Sequence, residues 1–195
     1  MLEVITPSAL TTVQDAGRRG WQAFGVPVSG PMDVFAHRAA NLLVANPPEA
    51  AGLEIGYSSA EFLALADCLI AATGPGFVLT VNDRPTRMWT SVYVRKNGRI
   101  RLAKRDSGTW AYLSIHGGIQ TLLTLLSRSS YLPARFGQPP LASGDILTIG
   151  NSRAWLPGLA SRTLSQIPVY SPFPTISVLP GPQSEHFSPS TLSTF

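Results

Sequence analysis

Residues 10–33 read LTTVQDAGRRGWQAFGVPVSGPMD, and they are the most informative stretch of the chain. Four glycines, two prolines, two acidic residues and two arginines lie within these 24 positions. Glycine loses more backbone entropy on folding than any other residue, so this density indicates loops with unusual backbone conformations. Binding chemistry is often carried by such loops. The stretch is therefore either a ligand-binding loop or a tight corner that holds two strands in register.

The composition around this stretch favours many short strands. The chain has 195 residues, 44% of them hydrophobic, which is enough for one substantial domain or two small ones. Charged residues make up only 13%, whereas 17 glycines and 17 prolines indicate frequent turns. Cys68 is the only cysteine and follows no thiol motif, so we interpret it as a small buried residue.

The hydrophobic pattern predicts a mainly β fold with few helices, arranged as a barrel or sandwich. One helix is predicted over residues 32–46, where Phe35, Ala39 and Leu42 repeat at helical spacing and two prolines follow. Ser29 or Asp33 is expected to cap its start. Residues 96–98 predict a hairpin turn. Strands are predicted at residues 2–5, 10–13, 53–57, 61–65, 69–72, 77–81, 91–94, 99–102, 110–115, 146–149 and 175–179.

Three acidic residues are candidates for catalysis. Asp15 lies three residues before Arg18, so the two either form a loop-stabilising ion pair or bind a small polar ligand together. Asp33 is either an ordinary helix cap or, with Ser29, part of an anion site at the helix N-terminus. Glu54 lies in an apolar run, where it is either a pocket acid with a raised pKa or an outward-facing side chain on an edge strand.

A second polar cluster occupies residues 127–131, with the sequence SRSSY. Its hydroxyl groups surround Arg128, whose guanidinium can bind a carboxylate or phosphate through two hydrogen bonds. Arg128 and Tyr131, together with Arg18 and Ser29, are therefore the predicted substrate-binding residues. The alternative is a polar turn between two apolar segments.

Several classes of function are disfavoured by the sequence. The histidines at positions 37, 116 and 186 are isolated, so a metal site is not expected, and His37 is interpreted as a surface residue. Residues 84–105 hold eight basic residues and no acid, but they lack a nucleic-acid-binding motif. The sequence shows no signal peptide and no apolar run long enough to span a membrane, so we expect a cytoplasmic protein.

The motifs resemble those of a known bacterial family. TVQDxGRxG at residues 12–20 and GVPxSGxMD at residues 25–33 are similar to the opening signature of the C subunit of 5-oxoprolinase, also called allophanate hydrolase subunit 2, the KipA-type protein or the biotin-dependent carboxyltransferase subdomain. The chain departs from the family pattern at Leu126 and Gln138, where relatives usually have glycine. Further matching segments follow in the family's order at residues 39–44, 53–54, 110–113, 117–119, 127–133 and 178–183.

The resemblance implies a cyclophilin-like β-barrel architecture and a subunit of an ATP-dependent hydrolase complex that opens 5-oxoproline to glutamate. Its implied partners are a related cyclophilin-like protein (the B subunit of such a complex or an inhibitor-type protein) and a lactam-metabolism protein. An alternative is a regulatory module that antagonises a histidine-kinase inhibitor; a further one is an allophanate or urea carboxyltransferase-type subunit. The chain contains neither a phosphate-binding P-loop for the implied ATP nor a Met-Lys-Met biotin-attachment motif.

The resemblance also predicts the domain organisation. Residues 1–157 are expected to form the N-terminal carboxyltransferase-type region, and residues 158–174 a connector rich in proline and serine. Residues 175–195 are expected to begin a second lobe that the chain does not complete.

Overall fold

The computed structural model describes residues 1–105, 108–151, 156–179 and 181–194. Two helices lie at Val34–Leu43 (α1) and Pro189–Thr194 (α2). The strands are Leu2–Thr6 (β1), Leu10–Gln14 (β2), Gly52–Gly56 (β3), Ala60–Ala64 (β4), Cys68–Thr73 (β5), Phe77–Val81 (β6), Arg84–Thr86 (β7), Ser91–Val94 (β8), Arg99–Lys104 (β9), Trp110–Ile115 (β10) and Ile146–Leu147 (β11).

The strands form two antiparallel sheets around one hydrophobic core. One sheet has the order β11-β1-β4-β9-β6-β7, and the other has the order β2-β3-β10-β5-β8. Alternate residues along the strands point into the shared interior, as the twofold period of a strand requires. Val4 and Phe62 enter the core from the first sheet and Leu53 and Leu113 from the second, and all four are fully buried. The predicted mainly β fold class is confirmed.

Helix α1 covers the outer face of the five-stranded sheet. Its alanines at positions 36, 39 and 40 are buried against Tyr112 of β10 and Trp89. Asp33 has an extended backbone and its carboxylate accepts a hydrogen bond from the Ala36 amide at 2.9 Å, so the helix begins at Val34 rather than at residue 32. The helix therefore fixes where the glycine-rich loop before it meets the sheet.

The covered sheet face carries a row of polar side chains. Strand register places Thr12 of β2 beside Glu54 of β3, Glu54 beside Tyr112 of β10, and Tyr112 beside Thr73 of β5. All four are at least 95% buried. Buried polar groups must be hydrogen-bonded to be tolerated, so this row requires partners from the helix and the loop above it.

Two local predictions are wrong, and one strand was not predicted. Residues 96–98 do not make a hairpin, because β8 and β9 pair in different sheets; the hairpin lies between β6 and β7, across the turn at Asn82 and Asp83. Strand β7 was not predicted because it is three residues long and contains a proline. Residues 175–179 form no strand: Ile176, Val178 and Leu179 are exposed, and an isolated strand has no ladder to stabilise it.

Candidate functional site

Asp15, at the end of β2, is the hub of the glycine-rich loop. One carboxylate oxygen accepts hydrogen bonds from the Gly17 amide (2.9 Å), the Ser127 hydroxyl (2.6 Å) and the Ser129 hydroxyl (2.7 Å). The other oxygen accepts one from the Arg128 amide at 2.6 Å. Burial by itself raises the pKa of this carboxyl, but the four hydrogen bonds outweigh burial and hold the pKa of Asp15 below its usual value. Asp15 therefore joins the two polar segments that the sequence singled out.

Arg18 is buried beneath the same loop, with only 1% of its surface exposed. Its guanidinium donates hydrogen bonds to the carbonyl oxygens of Ser129 and, at 3.4 Å, Thr124. The guanidinium carbon lies 5.6 Å from the centre of the Phe136 ring, a distance suited to a cation–π contact. Arg18 and Asp15 do not form an ion pair. The one ion pair among the described residues joins Arg99 and Glu61. Arg18 stabilises the loop through these contacts, and its Nη1 is buried without a hydrogen-bond partner among the described residues.

The residues of the segment 127–131 make two kinds of contact. The side chains of Ser127 and Ser129 are fully buried against Asp15. The Arg128 guanidinium donates instead to the side-chain oxygen of Gln120 at 2.7 Å. Tyr131 lies half-buried beside Phe136, with ring centroids 6.5 Å apart. The predicted binding residues Arg128 and Tyr131 are thus held next to the Asp15 hub, but neither side chain contacts the Asp15 carboxylate.

Ser29 ties the loop before α1 to this hub. Its hydroxyl donates to the Ser130 carbonyl oxygen at 2.7 Å, and its backbone has a φ of +62°, which non-glycine residues adopt rarely. Gly17 explains the close approach of the two loops: its φ is +81°, and a Cβ at that position would lie 2.5 Å from the Val28 carbonyl oxygen. The predicted capping role of Ser29 is not observed, because Asp33 is the cap.

Glu54 is a buried acid that holds the same loop from the other side. One of its oxygens accepts hydrogen bonds from the Met32 amide (2.7 Å) and the Tyr112 hydroxyl (2.8 Å). The Asp33 amide in turn donates to the Tyr112 hydroxyl at 2.7 Å. Burial raises the pKa of Glu54, an effect that these hydrogen bonds reduce but do not cancel. The outward-facing alternative for Glu54 is wrong, because α1 and its loop cover this sheet face.

Asp33 has both carboxylate oxygens engaged. One caps α1, and the other accepts a hydrogen bond from the Tyr170 hydroxyl at 2.7 Å. Tyr170 also lies near Trp89, with ring centroids 6.5 Å apart. Asp15, Glu54 and Asp33 are therefore all placed in the same region, and each holds backbone or side-chain donors in position.

Sequence reasoning missed His37, Arg38 and Tyr112. His37 is 99% buried, not at the surface as predicted, and its Nε2 lies 3.0 Å from the Gln14 carbonyl oxygen. A carbonyl only accepts, so Nε2 carries the proton; burial lowers the pKa of His37, which favours the neutral ring. In β10, Tyr112 and Ser114 alternate with core residues. This alternation was the one sequence signal for the row of polar side chains beneath α1.

A small recess lies where the glycine-rich loop meets α1. It has a volume of about 80 Å³, and its polar lining comes from Arg19, Ser29, His37 and Arg38. The apolar remainder of the described lining is Ala16, Val28, Pro31, Val34 and Pro48. The recess adjoins a larger apolar groove of about 630 Å³ along α1, and Val34 and Arg38 line both. Apolar walls with a few convergent polar groups are typical of small-molecule sites.

Comparison with known proteins identifies the chain's family. The model of the carboxyltransferase domain, subdomain A and B, matches residues 24–195, which is most of the chain. The chain belongs to the carboxyltransferase subdomain A and B family. The resemblance drawn from residues 12–33 is thereby confirmed.

Two groups of curated relatives match this carboxyltransferase chain. Urea amidolyase of Lachancea kluyveri is 35% identical over 183 residues, which cover 91% of the chain and 10% of the relative. The C subunit of 5-oxoprolinase from Escherichia coli (strain K12) is 32% identical in an alignment of 202 positions, which covers the whole chain and 62% of the relative. The chain thus spans less than two thirds of each of these relatives.

Solved structures show the same similarity. The crystal structure of TTHA0988 aligns with a TM-score of 0.82 at 31% identity, over 88% of this chain and 34% of that one. The K. lactis urea amidolyase aligns with a TM-score of 0.75 at 33% identity, over 91% of this chain and 11% of that one. Within the described ranges, none of the helices is long and apolar enough to cross a membrane.

Proposed function

We propose that this carboxyltransferase-family chain is a subunit of an ATP-dependent amide hydrolase complex, and that the complex opens the ring of 5-oxoproline to glutamate. Relatives that match the chain in E. coli and Haemophilus influenzae are named as the C subunit of 5-oxoprolinase. The partners we propose are a related cyclophilin-like subunit and a lactam-metabolism protein. The curated relatives reported above are named as enzymes or enzyme subunits, so they lend no support to the regulatory alternative.

The observation that carries this proposal is the charge of the recess beside α1. Arg19, Arg38 and Ser29 line it, both arginines are exposed, and no acidic side chain is found among its described lining residues. Water occupies about 30 Å³ per molecule in the liquid, so 80 Å³ accommodates about two to three water-sized groups, the size of a carboxylate. The recess is therefore suited to hold the anionic group of a small substrate.

The acidic residues act on this recess indirectly. Glu54 and Tyr112 hold the amides of Met32 and Asp33, and through them fix the loop that carries Ser29. Asp15 holds the opposite loop through Ser127 and Arg128. We assign Asp15, Asp33 and Glu54 as positioning residues, and Arg38 as the residue that contacts the substrate.

ATP does not fit the recess beside α1 or the groove next to it. The recess is much smaller than the roughly 300–1,000 Å³ of ordinary cofactor pockets, and the groove, which Arg38 and Arg162 line, has mainly apolar walls and no lysine among its described lining residues. The described loops likewise lack the glycine-rich, lysine-containing turn that cradles nucleotide phosphates. We therefore assign ATP binding to a partner subunit and derive no step through ATP in this chain.

Carboxyl transfer to urea is the second candidate function. It is favoured by the 35% identity with the urea amidolyase of Lachancea kluyveri and by the structural alignment with the K. lactis enzyme. The chain has only two lysines, Lys96 and Lys104, and neither lies in a biotin-attachment motif, so this function requires a separate carrier.

The test is reconstitution of the chain with its partner subunits. ATP hydrolysis is measured with 5-oxoproline in one arm and with urea and bicarbonate in the other. The proposal predicts ATP hydrolysis in the first arm that requires this chain and that, at 5-oxoproline concentrations below the KM, decreases for Arg38→Gln. The matched control is Arg101→Gln, an exposed arginine on β9 in the other sheet. Turnover in the urea arm alone would replace the proposal by the second candidate, and turnover in neither arm would refute both.

A further inference from the structure

We infer that the chain carries a second small-molecule site, a carboxylate-binding cavity formed by Gln120, Thr121, Arg128, Gln138 and Thr148. This cavity has a volume of about 420 Å³, and Leu122, Ile146 and Leu147 supply its remaining described lining. It shares no lining residue with the recess beside α1. The inference goes beyond the proposed function, because it concerns binding by this chain alone.

Two polar atoms of this cavity's side chains are buried and unpartnered within the described part of the chain. They are the Nε of Arg128 and the hydroxyl of Thr121. Leaving a buried donor unsatisfied costs about 1–3 kcal/mol, and more for a charged group, so such atoms in a cavity wall indicate a ligand that accepts hydrogen bonds. Both groups can donate.

The arrangement around Arg128 keeps its charge available to a ligand. The side-chain amide nitrogen of Gln120 donates to the Gly117 carbonyl oxygen at 3.3 Å, which turns the amide oxygen toward Arg128. The partner of the Arg128 guanidinium is thus a neutral oxygen, and no described acidic residue forms an ion pair with it. The positive charge is oriented but not neutralised.

The backbone of the same residue is fixed by Asp15. The Arg128 amide donates to the Asp15 carboxylate at 2.6 Å, and the flanking Ser127 and Ser129 hydroxyls bind the same carboxylate. An arginine held at its backbone and at one end of its guanidinium is preorganised, so little rotamer entropy remains to be lost on binding. Its planar fork of N–H donors matches the two oxygens of a carboxylate.

The size and polarity of the cavity define the class of ligand. A volume of 420 Å³ exceeds a bare carboxylate and suits a small organic acid. Gln138 and Thr148 offer further hydrogen-bonding groups, and Ile146 and Leu147 offer apolar contact. We therefore assign the site to a small organic carboxylate.

The test is a titration of the ¹⁵N-labelled full chain followed by NMR, in which the side-chain Nε–H of arginine is observed directly. The probes are acetate with acetamide, and 5-oxo-L-proline with 5-oxo-L-prolinamide, so each acid has a neutral counterpart. We expect at least one acid to shift the signals of Arg128 and Thr121 while its amide does not. We expect Arg128→Gln to weaken that binding at least tenfold, and Arg101→Gln to leave it unchanged.

Thr121→Val keeps the shape of its side chain and removes the hydroxyl, so it tests the site without disturbing the Asp15 hub; we expect a severalfold weaker affinity. Circular dichroism spectra confirm that each variant is folded. Binding of neither acid, equal binding of acid and amide, or equal binding of inorganic phosphate would overturn the inference. Signals that shift only around Ser29 and Arg38 would also overturn it, while supporting the recess of the proposed function.

Discussion

Replacing Asp15 by asparagine tests the hub of the structure with the smallest change in shape. The oxygen of asparagine can take the place of the oxygen that now accepts from Gly17, Ser127 and Ser129. The amide group then faces the Arg128 amide, so two donors confront each other where a 2.6 Å hydrogen bond existed. The three remaining bonds persist, but to a neutral acceptor.

The expected magnitude follows from these four contacts. A hydrogen bond to a charged group contributes about 1.5–3 kcal/mol and a neutral one about 0.5–1.5 kcal/mol, so three weakened bonds lose about 1 kcal/mol each. The orphaned Arg128 amide adds about 2 kcal/mol. Because neighbouring effects are not additive and the loop can relax, we expect Asp15→Asn to lower the free energy of unfolding by about 3–4 kcal/mol.

The assay is urea unfolding of both proteins as a function of pH, with Asp83→Asn as the control. Asp83 is exposed in the β6–β7 turn, so its replacement is expected to change stability by less than about 0.5 kcal/mol. The pKa of Asp15 is lowered in the folded state, so its stabilisation is complete above the ordinary carboxyl pKa of about 4 and is lost as the pH falls through the lowered value. A loss below 1 kcal/mol at pH 7, or a difference that does not shrink on acidification, would refute the assignment.

Three further predictions follow from single contacts. Gly17→Ala should destabilise the chain by at least about 1 kcal/mol more than Gly20→Ala in thermal unfolding, since both have positive φ but only the first places a Cβ against Val28; equal losses would contradict the close approach. Burial raises the pKa of Glu54, so the folded state binds this proton more tightly than the unfolded state does. The free energy of unfolding therefore falls as the pH rises from the ordinary carboxyl pKa to the raised one. The melting temperature of Glu54→Gln should therefore rise relative to that of the parent protein as the pH increases. A difference in melting temperature that does not change with pH would contradict this. Burial raises the pKa of the Cys68 thiol to about 11, so iodoacetamide labelling should be slow at pH 7 and accelerate above pH 9; rapid labelling at pH 7 would contradict it.

Much of the fold could be predicted from local sequence patterns. The alternation of apolar residues located the strands with long-range partners, and the helical repeat located α1. The hairpin at residues 96–98 was wrong because sheet membership is decided by packing between distant strands: β8 pairs with β5, and β9 with β4 and β6. A turn motif specifies the turn and carries no information about which sheet each flanking strand joins.

The candidate site was predictable in its residue types and less so in its geometry. The motif at residues 12–33 predicts that Asp15, Ser29 and Asp33 belong to one region, and in the structure Asp15 and Ser29 both bond to the segment 127–130. The burial of His37 and the partnership of Glu54 with Tyr112 were not predictable, because they depend on α1 lying across the sheet. The backbone amide of Arg128 binds Asp15, whereas its guanidinium lines another cavity. This arrangement likewise depends on the tertiary contacts of the loop.

The central claim is that the recess beside α1 holds the anionic group of the substrate through Arg38. The most direct measurement is the steady-state kinetics of the reconstituted complex with Arg38→Gln, at saturating ATP and varied 5-oxoproline. A lost charge-assisted hydrogen bond is worth about 1.5–3 kcal/mol, so KM should rise by roughly 10- to 150-fold while kcat changes little, and Arg101→Gln should match the parent. An unchanged KM in the Arg38 variant would contradict the claim.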